Sequence, residues 1–306
     1  MESLSVFVAS SLRLATPLAF AATGEVVSQK AGVLNLSLEG MMLTSAFAGA
    51  WGARETGSPA LGLLCGVAAA VVFASFQATL SVHVRANQLV VGIGLNILAL
   101  GATTFLYREA FGGLSREVLP SFQPLNLFGL SELPIVGAAL FGQVWLVYAA
   151  VALALVTSWV VGNTAIGLSI RAAGESPRAL DQAGVSVTGV RFCCVLYAGL
   201  CAGLGGAFLS LASISTFTEG MTNGAGYLAV TAVILGRWIT LRVCAACLLF
   251  GAATALQFLM PALGISVPTA GLVMLPYVLA LLAVAGVLGR SRAPAALTLP
   301  FTRGAH

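Results

Sequence analysis

Residues 162–191 read GNTAIGLSIRAAGESPRALDQAGVSVTGVR, a polar stretch between two long apolar runs. Its charged residues are Arg171, Glu175, Arg178, Asp181 and Arg191. Charged side chains are costly inside a hydrocarbon core, so a helix-sized segment of this kind is expected outside the bilayer. The stretch predicts a chain that crosses a membrane repeatedly and presents a short polar docking helix at one face. The alternative is an ordinary loop stiffened by local ion pairs.

The composition of the whole chain supports a membrane protein. Of 306 residues, 59% are hydrophobic and 8% are charged, whereas soluble domains carry about 25% charged residues. Apolar runs near 20 residues recur, each long enough to cross a core of roughly 30 Å. They are too continuous for a lipid-facing barrel, which alternates apolar and polar residues. We therefore predict an all-α polytopic membrane protein, with residues 1–306 forming one domain.

About nine transmembrane helices are expected, one or more of them broken or half helices. The predicted spans are 3–23, 31–53, 59–83, 88–107, 141–162, 188–213, 226–237, 242–260 and 268–289. Segment 226–237 is short for a complete crossing. The first span is interpreted as retained, because Arg13 interrupts what would be the apolar core of a signal peptide.

Sidedness follows from the basic residues, which favour the cytoplasm. The last predicted span is followed by Arg290, Arg292 and Arg303. We therefore expect a cytoplasmic C-terminus and, with about nine crossings, an N-terminus outside. Segment 163–191 then lies inside, and 108–140 is the longest extracytoplasmic loop.

Several kinds of site are not expected in this chain. Its single lysine, Lys30, is not part of a phosphate-binding P-loop motif, so any ATP and Mg²⁺ would be bound by a partner chain. Six cysteines and two histidines show no metal-ligand clustering, and no catalytic grouping is evident, so we predict neither a metal site nor an enzyme. The net charge of +4 follows from sidedness and does not indicate nucleic-acid binding.

Residues 31–43, AGVLNLSLEGMML, place Asn35 and Glu39 on one helix face. An ionisable group at the bilayer centre usually faces a partner or a pathway. A helical hairpin would bring Arg13 to the depth of Glu39, and we predict a structural ion pair between them. The pair could serve packing alone or the pathway.

Residues 85–96, RANQLVVGIGLN, combine Asn87, Gln88 and Asn96 with Gly92 and Gly94. Glycines in a membrane helix allow a helix break that exposes polar backbone to a substrate. The alternative is close helix packing, with the amides hydrogen-bonding between helices.

Residues 217–227, FTEGMTNGAGY, combine aromatic rings, a carboxylate, an amide and three glycines. The candidate pathway residues here are Phe217, Glu219 and Asn223. Stacking and hydrogen bonding are suited to a nucleobase or a sugar ring. A solvated turn outside the membrane has a similar composition.

Several motifs in order resemble one family of bacterial permeases. They are AGVLNLSLEGMML, RANQLVVGIGLN, GLSIRAAGESPRALDQAGV, STFTEGMTNGAGY with AVILGRW, and GRSRAPAAL. Together they resemble permeases of ABC importers in the branched-chain amino acid and simple-sugar permease superfamily, in its nucleoside-importing branch served by basic-membrane-protein-type lipoproteins. The resemblance extends from Leu12 to Pro294. Cys193 and Cys194, and Thr240 and Leu241 after the GRW motif, depart from the family pattern.

The resemblance implies a heteromeric importer in the bacterial cytoplasmic (inner) membrane. Its other members would be a second permease, a tandem-domain ATPase and an extracytoplasmic substrate-binding lipoprotein, with a nucleoside as cargo. The resemblance also implies that RAAGESPRALDQAG meets the ATPase, through Arg171, Gly174, Glu175, Arg178, Asp181 and Gly184.

Other functions are weighed against this one. A simple sugar is the alternative cargo. A secondary carrier would require a titratable relay, for which Glu39 is the one strong acidic candidate within a predicted span. A passive channel would conduct without nucleotide.

Overall fold

The computed structural model describes residues 2–112, 118–125, 141–262, 269–285 and 293–302, and every regular element within these ranges is helical. In chain order the helices are α1 (Glu2–Lys30), α2 (Leu38–Thr56), α3 (Pro59–Ala78), α4 (Gln88–Phe111), α5 (Trp145–Asn163), α6 (Ala165–Glu175), α7 (Pro177–Gln182), α8 (Val187–Phe208), α9 (Ala225–Leu235), α10 (Thr240–Ala262) and α11 (Thr269–Val284). Helices α3 and α8 each continue into a π-helical turn. The all-α prediction is confirmed.

Among the described residues, 6 helices are long and apolar enough to cross a membrane: α1, α3, α4, α5, α8 and α10. Two shorter apolar helices span Ala225–Leu235 and Gly271–Leu282. The count of about nine crossings therefore stays a prediction.

Four expected boundaries are corrected by the structure. Helix α2 begins at Leu38 and not at residue 31, so Asn35 precedes the helix and does not share a helix face with Glu39. Helix α1 continues past residue 23 to Lys30, and Glu25 lies fully buried within it. Helix α4 extends to Phe111, so the predicted 108–140 loop begins inside a helix, and much of that loop lies outside the described residues. The predicted docking helix is two short helices, because Pro177 begins α7 directly after α6 ends.

The bundle has two ends, which we name by residues that lie at them. The Lys30 face carries the end of α1, the start of α4, helices α6 and α7, and segment 293–302, whose Ala296 N–H donates to Gly174 O (2.7 Å). The Phe111 face carries the start of α1, the end of α4 and residues 118–125, whose Leu119 N–H donates to Ser215 O (2.9 Å).

Two segments enter the bundle without forming a helix and end at the same depth. Residues 31–37 follow the first turns of α4: Leu34 N–H donates to Gln88 Oε1, and Gly40 N–H donates to Asn96 Oδ1, both at 2.8 Å. Eight helical residues separate those two acceptors, so α2 begins about 12 Å from the Lys30 face. Residues 214–224 enter from the Phe111 face and meet the same point.

Helix α9 is a half-helix, as segment 226–237 suggested. Its 11 residues run from this meeting point towards the Lys30 face, where Trp238 Nε1–H donates to Gln29 Oε1 (2.7 Å). A helix of this length covers about 16 Å, half of a bilayer core. Helix α2 leaves the same point in the opposite direction, and its Arg54 bonds to Ala110 O near the Phe111 face.

The bundle contains an inverted repeat in which α1–α4 correspond to α8–α11. Helix α1 packs on α10 as α8 packs on α3, α1 contacts α9 as α8 contacts α2, and α2 contacts α4 as α9 contacts α11. Helices α1 and α8 cross antiparallel, with Gly24 against Ala198 and Gly205 against Pro17. The repeat places the N-termini of α2 and α9 together inside the bundle.

Candidate functional site

The side chain of Glu39 joins the N-terminal ends of α2 and α9. Its Oε1 accepts hydrogen bonds from Thr222 Oγ1 (2.6 Å) and Gly224 N (2.9 Å), and its Oε2 accepts one from Gly226 N (2.7 Å). The carboxylate thus occupies the N-terminal end of α9, where backbone N–H groups lack helical acceptors and the helix dipole favours a negative charge. We name this contact the midplane junction.

Glycine allows the two helix starts to approach this closely. A Cβ on Gly226 would overlap the backbone nitrogen of Glu39 and lie 2.6 Å from its Cα. Gly224 has a φ of +80°, which favours glycine at the cap of α9. The sequence GAGY at 224–227 is therefore explained by backbone packing.

The predicted ion pair between Arg13 and Glu39 is wrong. Both oxygens of Glu39 accept bonds from residues 222–226, and Arg13 is exposed on the surface of α1. The N-terminus of α9 therefore supplies the electrostatic partner that the sequence argument assigned to Arg13. The distance of a residue from the turn of a helical hairpin predicts its depth. That distance does not predict on which side of α1 the side chain of Arg13 lies.

Asn96 connects α4 to the N-terminal ends of α2 and α9. Its Oδ1 accepts from Gly40 N, and its Nδ2 donates to Leu36 O (2.8 Å) and to the Tyr227 hydroxyl (2.7 Å). All hydrogen-bonding groups of this amide are used, which is expected of a buried polar side chain. Gly92, one turn earlier on α4, packs directly on Leu36, so the glycine serves close packing without interrupting α4.

Two partly exposed tyrosines, Tyr227 and Tyr277, flank the midplane junction. Tyr227 is 43% exposed and Tyr277 is 38% exposed. The Tyr277 hydroxyl donates to Asn223 O (2.7 Å), so both rings are fixed by their hydroxyl groups while part of each ring stays accessible. Asn223, a predicted pathway residue, is exposed at the same place.

Other predicted pathway residues lie away from the junction. Asn35 is fully buried, and its N–H donates to Glu25 Oε1 (3.1 Å). Gln88 is buried and holds Leu34. Asn87 is the N-cap of α4, accepting from Leu89 N (3.0 Å) and Val90 N (3.3 Å) at the Lys30 face. Its position is explained by helix capping.

Phe217 and Glu219 belong to the segment that enters from the Phe111 face. Phe217 is buried, with its ring 5.5 Å from Phe47 and 5.1 Å from Tyr107, so it packs the segment against α2 and α4. Glu219 Oε1 accepts from Arg108 Nε (2.8 Å). That hydrogen bond lowers the pKa of Glu219 below its usual value. The pair holds the segment at the Phe111 end of α4.

The residues predicted to meet an ATPase lie on or beside α6 and α7. Arg171, Glu175 and Arg178 are exposed, Asp181 is half-buried, and Gly184 has a φ of +82° in the turn before α8. Gly174 is buried, and a Cβ there would overlap the carbonyl oxygen of Lys30.

A polar cavity also opens at the Lys30 face. It measures about 350 Å³ and lies between the α6–α7 break and segment 293–302, with Glu175, Arg178 and Arg191 in its wall.

Sequence reasoning missed three features of this region. Glu25 falls between the predicted spans 3–23 and 31–53, yet it is buried in α1, where Gln29 Nε2 donates to its Oε1 (2.8 Å). Arg191 was counted with a polar loop, yet it is 3% exposed within α8. Tyr227 was quoted in a motif without a role. For Glu25 and Arg191, the available signal was a charged residue next to small residues within an otherwise apolar run.

The described residues contain no group of three or more His, Cys, Asp or Glu able to hold a metal ion. The chemistry of the junction is hydrogen bonding around one carboxylate.

Comparisons with known proteins identify the family. The family described as branched-chain amino acid transport system / permease component matches residues 7–285. The guanosine ABC transporter permease protein NupQ of Bacillus subtilis is 34% identical over 99% of this chain and 98% of its own length. The nucleoside ABC transporter permease protein NupC of Lactococcus lactis subsp. cremoris is 32% identical over 97% and 96%.

A sugar-named relative also matches. The putative glucose ABC transporter permease protein TsgC13 of Haloferax volcanii is 36% identical over 81% of this chain and 75% of its own length. No solved structure gives a significant match. The chain is therefore a multi-pass membrane protein that belongs to the branched-chain amino acid transport system / permease component family, a transport component and not an enzyme.

Proposed function

We propose that this chain is one of two permease subunits in a bacterial ABC importer of nucleosides. The observation that carries the proposal is the midplane junction, where the Glu39 carboxylate holds the starts of two oppositely directed helices, α2 and α9, beside partly exposed tyrosines. Polar backbone inside a membrane bundle is tolerated where it is buried in protein or lines a pathway. The nucleoside cargo is supported by the names of the two relatives that match almost end to end.

The pathway would run beside the junction on the side of Tyr227, Tyr277 and Asn223. A nucleoside presents an aromatic base and a hydroxylated sugar, which suit ring stacking and amide or hydroxyl hydrogen bonds. Asn96 and Glu39 would act from behind, by fixing Tyr227 and the start of α9. The other predicted pathway residues would shape the segments without touching cargo.

The motor would be a separate tandem-domain ATPase that binds ATP and Mg²⁺ and meets α6 and α7. These helices present the exposed side chains of Arg171, Glu175 and Arg178 at one face, beside the polar cavity. That arrangement supports a cytoplasmic Lys30 face, with the C-terminus inside and the N-terminus outside. The binding lipoprotein would deliver cargo at the Phe111 face.

A simple sugar is the second candidate cargo, and the likeness to the glucose-named permease favours it. That likeness covers 81% of this chain, less than the 99% and 97% of the nucleoside-named relatives.

The test is transport by the complete complex in proteoliposomes, with binding lipoprotein and labelled guanosine, glucose or ribose added at the lipoprotein side. We expect guanosine uptake that requires ATP and is abolished by a non-hydrolysable ATP analogue. Uptake of sugar alone would overturn the nucleoside cargo. Uptake driven by a proton gradient without the ATPase would overturn the importer mechanism.

The docking role of α6 and α7 is tested by Arg178→Ala in the same complex. We expect loss of permease-stimulated ATP hydrolysis with unchanged membrane insertion. Arg242→Ala provides the control, because Arg242 is also exposed at the Lys30 face but lies in the first turn of α10, away from α6 and α7. Equal stimulation by both variants and the wild type would contradict the docking role.

A further inference from the structure

Arg191 lies at the Lys30 end of α8 and binds three separate parts of the chain. Its Nε donates to Ala31 O (3.0 Å), its Nη1 to Leu299 O (2.7 Å) and its Nη2 to Ala173 O (3.1 Å). Only a guanidinium offers donors in such a planar fork.

Two of these acceptors explain how a cation is accommodated while 3% exposed. Ala31 directly follows α1, and Ala173 lies in the last turn of α6. The carbonyl ends of two helices therefore surround the guanidinium, and helix C-termini carry partial negative charge. Arg191 consequently depends on α1 and α6 staying together.

The backbones around Arg191 meet without room for side chains. A Cβ on Gly32 would lie 2.7 Å from Arg191 Nη2, and Gly32 has a φ of +93°. Gly174 packs directly on the Lys30 carbonyl. A displacement of α6 would therefore act on the Lys30–Gly32 backbone by direct contact.

Segment 293–302 covers Arg191 and its neighbours at the surface of the Lys30 face. Ala296 N–H donates to Gly174 O (2.7 Å), and Thr298 N–H donates to Gly32 O (3.1 Å). The segment thus bonds to α6 and to the turn after α1, at the same two glycines. We name these two bonds and the three bonds of Arg191 the clasp.

The turn at Gly32 continues into the segment that carries Glu39. Residues 31–37 are held on one side by Glu25 through Asn35 and on the other by Gln88 through Leu34. From Ser37 the chain enters α2, whose second residue is Glu39. The clasp at Gly32 and the midplane junction at Glu39 are therefore close in the chain. The bonds from Glu25 and Gln88 restrain the residues between them.

We propose that the clasp makes α6, the end of α1 and residues 31–37 move as one unit. A displacement of α6 by an ATPase would then also move Glu39. Arg191 is then a positioning residue for transport, acting through the Gly32 turn. The inference rests on the proposed docking of an ATPase at α6 and α7. It assigns coupling to Arg191 and Ala296, which are buried beside the exposed docking side chains.

The experiment compares nucleoside imported per ATP hydrolysed in proteoliposomes, with guanosine as the probe. Arg191→Lys keeps the charge but loses the fork, and Ala296→Pro removes the N–H that bonds Gly174. Ala295→Pro is the control, because Ala295 is exposed and makes none of the clasp bonds. We expect the ATPase to bind and to be stimulated within about twofold of wild type, while guanosine per ATP falls about tenfold, the order of effect of losing one hydrogen bond.

Each outcome decides between the two proposals. An unchanged ratio in both variants overturns the clasp, as does a parallel loss of hydrolysis and uptake, which would indicate a docking or folding role. If Arg191→Lys does not assemble, Ala296→Pro against Ala295→Pro still gives the answer. If the wild-type permease neither binds the ATPase nor shows ATP-driven uptake, the proposed function is wrong. The coupling role of the clasp, which depends on that function, is then wrong as well.

Discussion

Replacing Glu39 by glutamine tests the midplane junction with a change of a single group. Glutamine has the same shape but offers one acceptor oxygen and an NH₂ group that only donates. In the structure three donors point at the carboxylate: Thr222 Oγ1, Gly224 N and Gly226 N. The variant can keep two of these bonds on its single oxygen, and the third donor then faces an NH₂ group.

The cost follows from those three bonds. Losing one hydrogen bond to a charged acceptor and burying its donor costs about 2 kcal/mol, and each remaining bond weakens by about 0.5 kcal/mol when its acceptor becomes neutral. The start of α9 should therefore be destabilised by about 3 kcal/mol relative to wild type. Since 1.4 kcal/mol corresponds to a factor of ten, local opening should increase about a hundredfold.

Hydrogen exchange of the purified permease in nanodiscs measures this opening directly. Peptides covering residues 222–230 should exchange about a hundredfold faster in Glu39→Gln, since local opening limits exchange there. Glu219→Gln is the matched control, because it neutralises a carboxylate that pairs with exposed Arg108 away from the junction. Unchanged protection in Glu39→Gln, or an equal change in the control, would refute the assigned role of Glu39.

Gly226→Ala should force α2 and α9 apart and lower the melting temperature of the purified permease, because the added Cβ would lie 2.6 Å from Glu39 Cα. Gly101→Ala on α4, where a Cβ meets nothing within 4 Å, should be neutral or stabilise by about 0.5–1 kcal/mol; equal effects would contradict the close contact. The Arg108–Glu219 pair should add a stability that is present above the ordinary carboxyl pKa of about 4.3 and lost as pH falls through the lowered pKa of Glu219. The melting difference between wild type and Arg108→Gln should therefore stay constant from about pH 8 to about pH 5 and shrink in more acidic buffer; a difference that persists there would contradict the pairing.

Helices were predictable wherever apolar length alone decided them. Helices α3 (Pro59–Ala78) and α4 (Gln88–Phe111) begin close to their predicted starts, because Pro59 suits a first helical turn and Asn87 is a strong N-cap. The half-helix at 226–237 was suggested by its length, and α9 confirms it. The inverted repeat was not recognised. Its trace is faint: the seventh, twelfth and fourteenth residues counted from the starts of α2 and α9 are Thr, Gly and Trp in both.

Partners far apart in the sequence were not predictable. Arg191 bonds to carbonyls 160, 108 and 18 residues away, and backbone carbonyls leave no mark in a sequence. Glu39 was recognised as important, but its partners are backbone N–H groups and a threonine 183 residues away. The incorrect choice of Arg13 followed from looking for a charge, when a helix N-terminus provided one.

The opposite directions of α2 and α9 have a consequence for how the permeability barrier is kept. Both helices start at Glu39, so a tilt of this pair about that point swings one tip outward from its neighbours and the other inward. If the proposed transport cycle uses this tilt, an opening on one side of the bilayer accompanies a closing on the other. The pathway would then have no stage that is open to both sides, and protons and ions would not leak while cargo is exchanged.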